Sequence, residues 1–240
     1  MTAPATALTL YIGNKNYSSW SMRPWVLMRE HGIAFREVKL RFDSFAPDSE
    51  FKKTISHISP AGKVPVLVDG NLVIWDSLAI VEYLAERFPE RHLWPEPVAQ
   101  RARARSICAE MHTGFTALRS ALPMNIEAHL PQAGAIAWRD KPALRRDMQR
   151  IEALCGELLR NHHGPFLFGE HFTIADAFYA PLVMRVQTYA LPVSNTVRGY
   201  VQAICACPGV AAWIEDALAE HDFVLCEEPY RLQPGSAHGD

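Results

Sequence analysis

The chain reads as an α/β domain followed by an all-α domain. Three observations predict this: a β-α-β opening, a hairpin that runs straight into a helix, and a proline-rich break beyond which the apolar pattern has helical spacing throughout. With 240 residues and a 49% hydrophobic content, the chain is long enough for two modest domains with buried cores.

Leu8-Thr9-Leu10-Tyr11-Ile12 is β-prone and is ended by the turn-forming Gly13-Asn14-Lys15-Asn16. The next stretch, Tyr17-Ser18-Ser19-Trp20-Ser21-Met22-Arg23-Pro24-Trp25, supplies serines suited to capping and a proline tolerated in a first helical turn. That helix is expected to run to about His31, with Gly32 as its left-handed stop. Residues 35–40 form the second strand, and a single helix between two strands calls for a parallel pair. Residues 42–60 are irregular, with a short helix expected near 49–55. Two β-branched runs, Val66-Leu67-Val68 and Leu72-Val73-Ile74-Trp75, then flank the turn Asp69-Gly70-Asn71. Directly afterwards Leu78, Val81, Leu84 and Phe88 switch to helical spacing, so a strand feeds a helix N-terminus at Asp76-Ser77. Pro65 cannot donate to a sheet ladder and must begin an edge, bend the backbone or take the cis form.

Pro89, Pro95 and Pro97 forbid a continuous helix through residues 89–97, which places the linker there, between domains at 1–88 and 98–240. Beyond it, Ile107, Met111, Phe115, Leu118 and Leu122 predict one long helix ending at Pro123-Met124-Asn125. A second, through Leu144, Met148, Ile151, Cys155 and Leu158, ends at His163-Gly164-Pro165. Thr173-Ile174-Ala175-Asp176 is a capping box ahead of an apolar helix at 177–189, which gives Asp176 a structural role. The polar tail from Leu232 is expected to fray.

Lys+Arg total 24 against 26 Asp+Glu, a balance that points away from nucleic acid and from a membrane surface as partners. No run approaches the roughly 18 apolar residues of a spanning helix, and the first seven residues lack a basic region with an apolar core. The five cysteines, Cys108, Cys155, Cys205, Cys207 and Cys226, include no Cys-x-x-Cys pair and read as reduced thiols. A soluble, cytoplasmic protein without a metal site is the expectation.

The free amides and partial positive charge of a first helical turn make Asp76-Ser77 suited to a carboxylate held by Ser77's amide and hydroxyl. Val64-Pro65 and Asp76-Ser77-Leu78-Ala79-Ile80, with a hairpin between them, resemble the glutathione-binding half of the glutathione transferase superfamily. The capping box is a further shared feature, and the resemblance covers almost the whole chain. It implies a thioredoxin-like N-terminal domain with a cis proline, and an all-helical C-terminal domain carrying the electrophile site. It further implies a cytoplasmic homodimeric detoxification enzyme that uses glutathione as co-substrate and no metal. On this resemblance Lys63, Val64, Pro65, Asp76 and Ser77 bind glutathione.

Ser18-Ser19-Trp20-Ser21-Met22-Arg23 is similar to the Ser-Ser-Cys-Ser-x-Arg signature of the zeta class. The alignment puts the family's catalytic serine on Ser18, with Ser19 and Tyr17 as rivals, and puts Trp20 where that class has cysteine. The substitution bears more heavily on a zeta-type isomerase activity than on a serine-type transferase. The first cysteine is Cys108, in the helical half, which argues against cysteine-type chemistry, and the tyrosine-type position holds Asn14. The electrophile pocket is expected against the first long helix, where His112, Phe115 and Arg119 share a face with Met111 beside them. Phe115 is equally readable as core, and Arg119 as a solvated side chain or as an anchor for a substrate carboxylate. The activity implied is conjugation of glutathione to small hydrophobic electrophiles. The alternatives are a glutathione-dependent cis–trans isomerase or dehalogenase, and a non-catalytic binding module on the same fold.

Overall fold

The computed structural model describes residues 8–233. The first seven residues, and residues 234–240 of the tail expected to fray, lie outside them.

Four strands, β1 (Leu8–Ile12), β2 (Phe35–Lys39), β3 (Val66–Asp69) and β4 (Leu72–Trp75), form one sheet in the order β2-β1-β3-β4. β1 and β2 are parallel, as the single-helix crossover requires, whereas β3 is antiparallel to both β1 and β4. The hairpin closes with Asp69 opposite Leu72, and Gly70 takes the left-handed conformation (φ +59°) that a tight turn demands. The crossover is α1 (Ser19–Glu30), stopped by Gly32 at φ +62°. The short α2 (Glu50–Ile58) is N-capped by Ser49, which accepts from the Lys52 amide at 3.1 Å. α3 (Ser77–Arg87) follows β4 at once.

α1 is buried almost all round, because it packs on β1 and α3 on one side and on two C-terminal helices, α8 (Ile174–Thr188) and α10 (Pro208–Ala219), on the other. Met22, Trp25, Val26, Leu27 and Met28 are fully enclosed. Pro24 lies in the second turn of α1 rather than the first, so the Trp20 carbonyl lacks its usual amide partner. Charge ties the same contact. Lys15, 4% exposed, pairs with Glu37 Oε2 (2.8 Å) and Asp216 Oδ2 (2.5 Å), and Glu30 accepts from the Gly209 amide that opens α10.

The remaining helices are α4 (Val98–Thr113), α5 (Thr116–Ala121), α6 (Pro131–Asp140), α7 (Pro142–His162) and α9 (Asn195–Ala206). The long helix expected through Leu122 is two helices. At Gly114 an added Cβ would meet the Glu110 carbonyl at 2.7 Å, and Phe115 follows at φ +51°, which turns the chain. Asp147 of α7 then accepts from the Leu118 amide (3.0 Å) in the first turn of α5. α8 is buried on nearly every side and forms the centre of the helical domain. Its capping box is present, and the fully buried Asp176 accepts from the amides of Thr173 (2.9 Å) and Leu167 (3.0 Å), the Thr173 hydroxyl (3.0 Å) and the Tyr200 hydroxyl (3.2 Å). Burial pushes this carboxyl up to about 6 against the pull of those donors. Asp176→Ala strands four buried donors at once and is expected to lower stability by roughly 3–5 kcal/mol in urea unfolding; a loss under about 1 kcal/mol would refute the anchoring role.

Candidate functional site

Ser18 precedes α1 at the mouth of the interdomain cleft. Its side chain caps no amide of its own helix. Instead Ser18 Oγ hydrogen-bonds Ser21 Oγ at 2.7 Å, and Ser21 in turn accepts from the Gly13 amide at 3.3 Å. A hydroxyl in that arrangement can hand its proton bond to a ligand when Ser21 turns to donate. Tyr17 is differently placed. Its hydroxyl donates to Glu228 Oε1 (2.6 Å) and accepts from the Val224 amide (3.3 Å), and burial pushes its ionisation well up. Tyr17 therefore serves to fasten the C-terminal segment, where Glu228 also takes bonds from Asn125 (2.9 Å) and Arg231 (2.8 Å).

Across the cleft the Val64–Pro65 peptide is cis, ahead of β3. Asp76 caps α3 through the Leu78 amide (2.8 Å) with its backbone at φ +76°, a conformation costly for a residue with a Cβ. Such strain is held where the surroundings over-determine it. Ser77 is 1% exposed and accepts from Arg23 Nη1 at 3.3 Å. These residues, with Lys63, Trp20, Trp75 and His112, line a cavity of about 370 Å³. His112 Nε2 lies 3.3 Å from Asp76 Oδ2, and burial holds the imidazole below its usual value despite that carboxylate, so it is neutral at pH 7.

A second cavity, about 460 Å³, adjoins the first through Trp20, Lys63 and Val64, which border both. Tyr17, Ser18 and Ser19 line one side of it, and Phe42, Phe45 and Phe51 supply an aromatic wall. Arg119, Arg185, Met124 and Glu227 come from the helical half. Arg23, 3% exposed, stacks on the Trp20 ring (4.1 Å) and the Phe178 ring (4.5 Å), and the Arg119 guanidinium lies 5.3 Å from the Trp20 centroid.

Of the residues expected from sequence, Ser18, Ser19, Lys63, Val64, Pro65, Asp76 and Ser77 all border one or both cavities. The helical-domain set divides. Arg119 reaches the larger cavity from α5, whereas His112 belongs to the smaller one, beside Asp76. Met111, expected beside the pocket, is a core residue at 4% exposed, and Phe115, readable either way, is core at 7%; neither borders these cavities, and the break at Gly114-Phe115 interrupts the helical face expected to continue to Arg119. Sequence reasoning missed Trp20 as a shared wall, Arg185 and Glu227. Arg185 had a readable signal, a lone charge inside the apolar run 177–189.

Models of the glutathione S-transferase N-terminal domain and C-terminal domain match residues 17–87 and 99–216. The chain belongs to the glutathione S-transferase family. It is 35% identical to glutathione S-transferase Z1 of Arabidopsis thaliana over 70% of this chain and 75% of that one. Identity to a probable maleylacetoacetate isomerase of Caenorhabditis elegans is 29%, over 77% of this chain and 81% of the relative. A Burkholderia glutathione transferase homologue, solved with bound glutathione, superposes with a TM-score of 0.66 at 24% identity, covering 88% of this chain and 98% of that one. The arrangement is thus the family's fold, a thioredoxin-like domain with a helical partner, with the two cavities at their junction.

Removing the Tyr17 hydroxyl leaves the Val224 amide without its acceptor and Glu228 without one donor. Tyr17→Phe is expected to lower stability by about 1–3 kcal/mol in urea unfolding, and an unchanged midpoint would show that the hydroxyl does not hold the C-terminal segment.

Proposed function

We propose that this member of the family is a serine-type glutathione transferase that joins the glutathione sulfur to small electrophiles, by substitution or addition. The observation that carries the reading is the position of Ser18, on the wall of a cavity that continues past Trp20 and Val64 into the Asp76–Ser77 cavity. On this reading Asp76 takes the γ-glutamyl ammonium, while Ser77 takes the neighbouring carboxylate at the positive end of α3. Val64 backbone groups hold the cysteinyl part, Lys63 the glycyl end, and the sulfur falls beside Ser18. The thiol proton leaves to solvent. The thiolate then attacks the electrophilic carbon, expelling a leaving group or passing charge to a conjugated carbonyl that is later protonated.

The magnitudes limit what Ser18 can do. A thiol of pKa about 8.5 is roughly 3% ionised at pH 7, and lowering it by about 2 units makes thiolate dominant. Nucleophilicity falls with basicity, by roughly eightfold for that shift, so the net gain is only a few-fold. The greater part of the acceleration comes from holding thiolate and electrophile together in a largely dry site.

The similarity to a probable maleylacetoacetate isomerase favours a second reading, glutathione-dependent isomerisation of an unsaturated acid, with dehalogenation related to it. Trp20 at the cysteine position of the zeta signature weighs against it. Product analysis with unsaturated diacids and haloacids separates the readings. Resemblance to the family also supports a homodimer. The five unpaired cysteines fit a reducing cytoplasm, where a detoxification role would lie.

Conjugation of a generic aryl halide by purified protein tests the main reading. Ser18→Ala is expected to lower kcat about three- to tenfold with glutathione affinity retained, and Ser77→Ala to weaken glutathione binding about tenfold, the loss of one hydrogen bond to a charged group. A fully active Ser18→Ala would move the sulfur partner to Ser19, and a wild type that neither binds nor turns over glutathione would sink the enzyme assignment.

A further inference from the structure

Among the described residues, two guanidinium groups of the larger cavity have no carboxylate in hydrogen-bond contact. Arg185, buried, donates from Nε to the Leu122 carbonyl (2.8 Å) and from Nη1 to the Pro181 carbonyl (2.9 Å), both uncharged acceptors. Arg119 has a buried Nε with no hydrogen-bond partner, and Asp147 acts on it only through space. Burial lowers the ionisation of both, that of Arg185 to about 10, so both remain cationic at neutral pH. One acid shares the cavity wall with them, Glu227, on the 3-10 turn Leu225–Glu227 that the Tyr17–Glu228 hydrogen bond pins in place.

We propose that Glu227 is the charge filter of this cavity: as a carboxylate it offsets Arg185 on the shared wall and favours uncharged electrophiles. As a carboxylic acid it leaves both guanidinium groups to hold an electrophile that carries a carboxylate. Burial pushes Glu227 up to about 7, with Arg185 pulling it back and Glu228 adding to the rise. The other titratable groups facing the cavity are Tyr17 from the loop before α1, Lys52 from α2 and Lys63 before β3, while Cys226 is adjacent on the turn itself. Burial pushes the Tyr17 hydroxyl well up, so it stays neutral between pH 6 and 8. Burial raises the Cys226 thiol and keeps it neutral there. Within that window the charge of Glu227 changes, and a unit charge in a partly buried site alters anion affinity by about tenfold or more.

The inference assumes the electrophile cavity of the proposed function, so its test reads binding as well as turnover. A chloronitrobenzoate and its methyl ester differ by one negative charge on the same ring. Their affinities are measured by calorimetry without glutathione from pH 6 to 8, beside turnover of each with glutathione. In the wild type the acid-to-ester affinity ratio is expected to fall about tenfold as pH rises through about 7. In Glu227→Gln it should stay at its low-pH value throughout, and in Arg119→Gln it should be low at every pH. Leaving glutathione out of the calorimetry keeps its thiolate, which would repel the acid and not the ester, from entering the ratio. A ratio that ignores pH and Glu227→Gln overturns the inference, as does failure of both compounds to bind. A ratio that moves as expected without conjugation of either compound leaves the charge filter standing and removes the transferase reading instead.

Discussion

Burying a guanidinium is costly unless its charge is met, and the environment of Arg23 sets much of the geometry described above. Arg23 is held between the faces of Trp20 and Phe178 and donates to Ser77 Oγ, so a single side chain joins α1, α8 and the start of α3. Burial together with repulsion from Arg185 and Arg119 lowers it to about 9, which leaves it charged at neutral pH. The aromatic faces, one hydroxyl and, through space, the Asp76 carboxylate are what that charge meets. Any shift of α1 against α3 would break this arrangement, so Ser18, five residues before Arg23, is kept at a fixed place relative to Ser77.

The strands, the parallel crossover, the hairpin and the α3 entry were legible in the sequence because each rests on local chemistry. Gly32 and Gly70 sit where a left-handed conformation is required, Ser49 where an amide needs a cap, and Thr173 with Asp176 where two caps are reciprocal. The same holds for half of the site. Val64, Pro65, Asp76 and Ser77 are consecutive with those turns, and placing the turn places them.

The helical wall was less legible, since its residues meet only through packing. Periodicity through Ile107, Met111, Phe115, Leu118 and Leu122 is continuous across Gly114, and an apolar stripe does not distinguish one helix from two that share a core. The deciding facts are the close approach of Gly114 to the Glu110 carbonyl and the hydrogen bond from the Leu118 amide to Asp147, twenty-nine residues away. Once the chain turns there, Phe115 goes to the core and Arg119 to the cleft. Glu227 carries no local signal, because it is brought to the cavity by Tyr17 holding Glu228, 211 residues distant.

The two cavities differ in charge in a way that suits the two ends of one reaction. Beside α3 there is a carboxylate, Asp76, next to a helix N-terminus, an arrangement complementary to an ammonium and a carboxylate borne on one carbon. A protonated His112 would compete with that ammonium for Asp76, but burial among Trp20 and Phe178 holds the imidazole neutral at pH 7. Acidification through the histidine's lowered range would charge it and set it against the ligand for the same carboxylate. In the larger cavity the order is reversed, with fixed cations and one titrating acid. Trp20 borders both, its ring stacked by two arginines and paired edge-to-face with His112 at 5.0 Å, so one side chain meets both charge patterns where the cavities join.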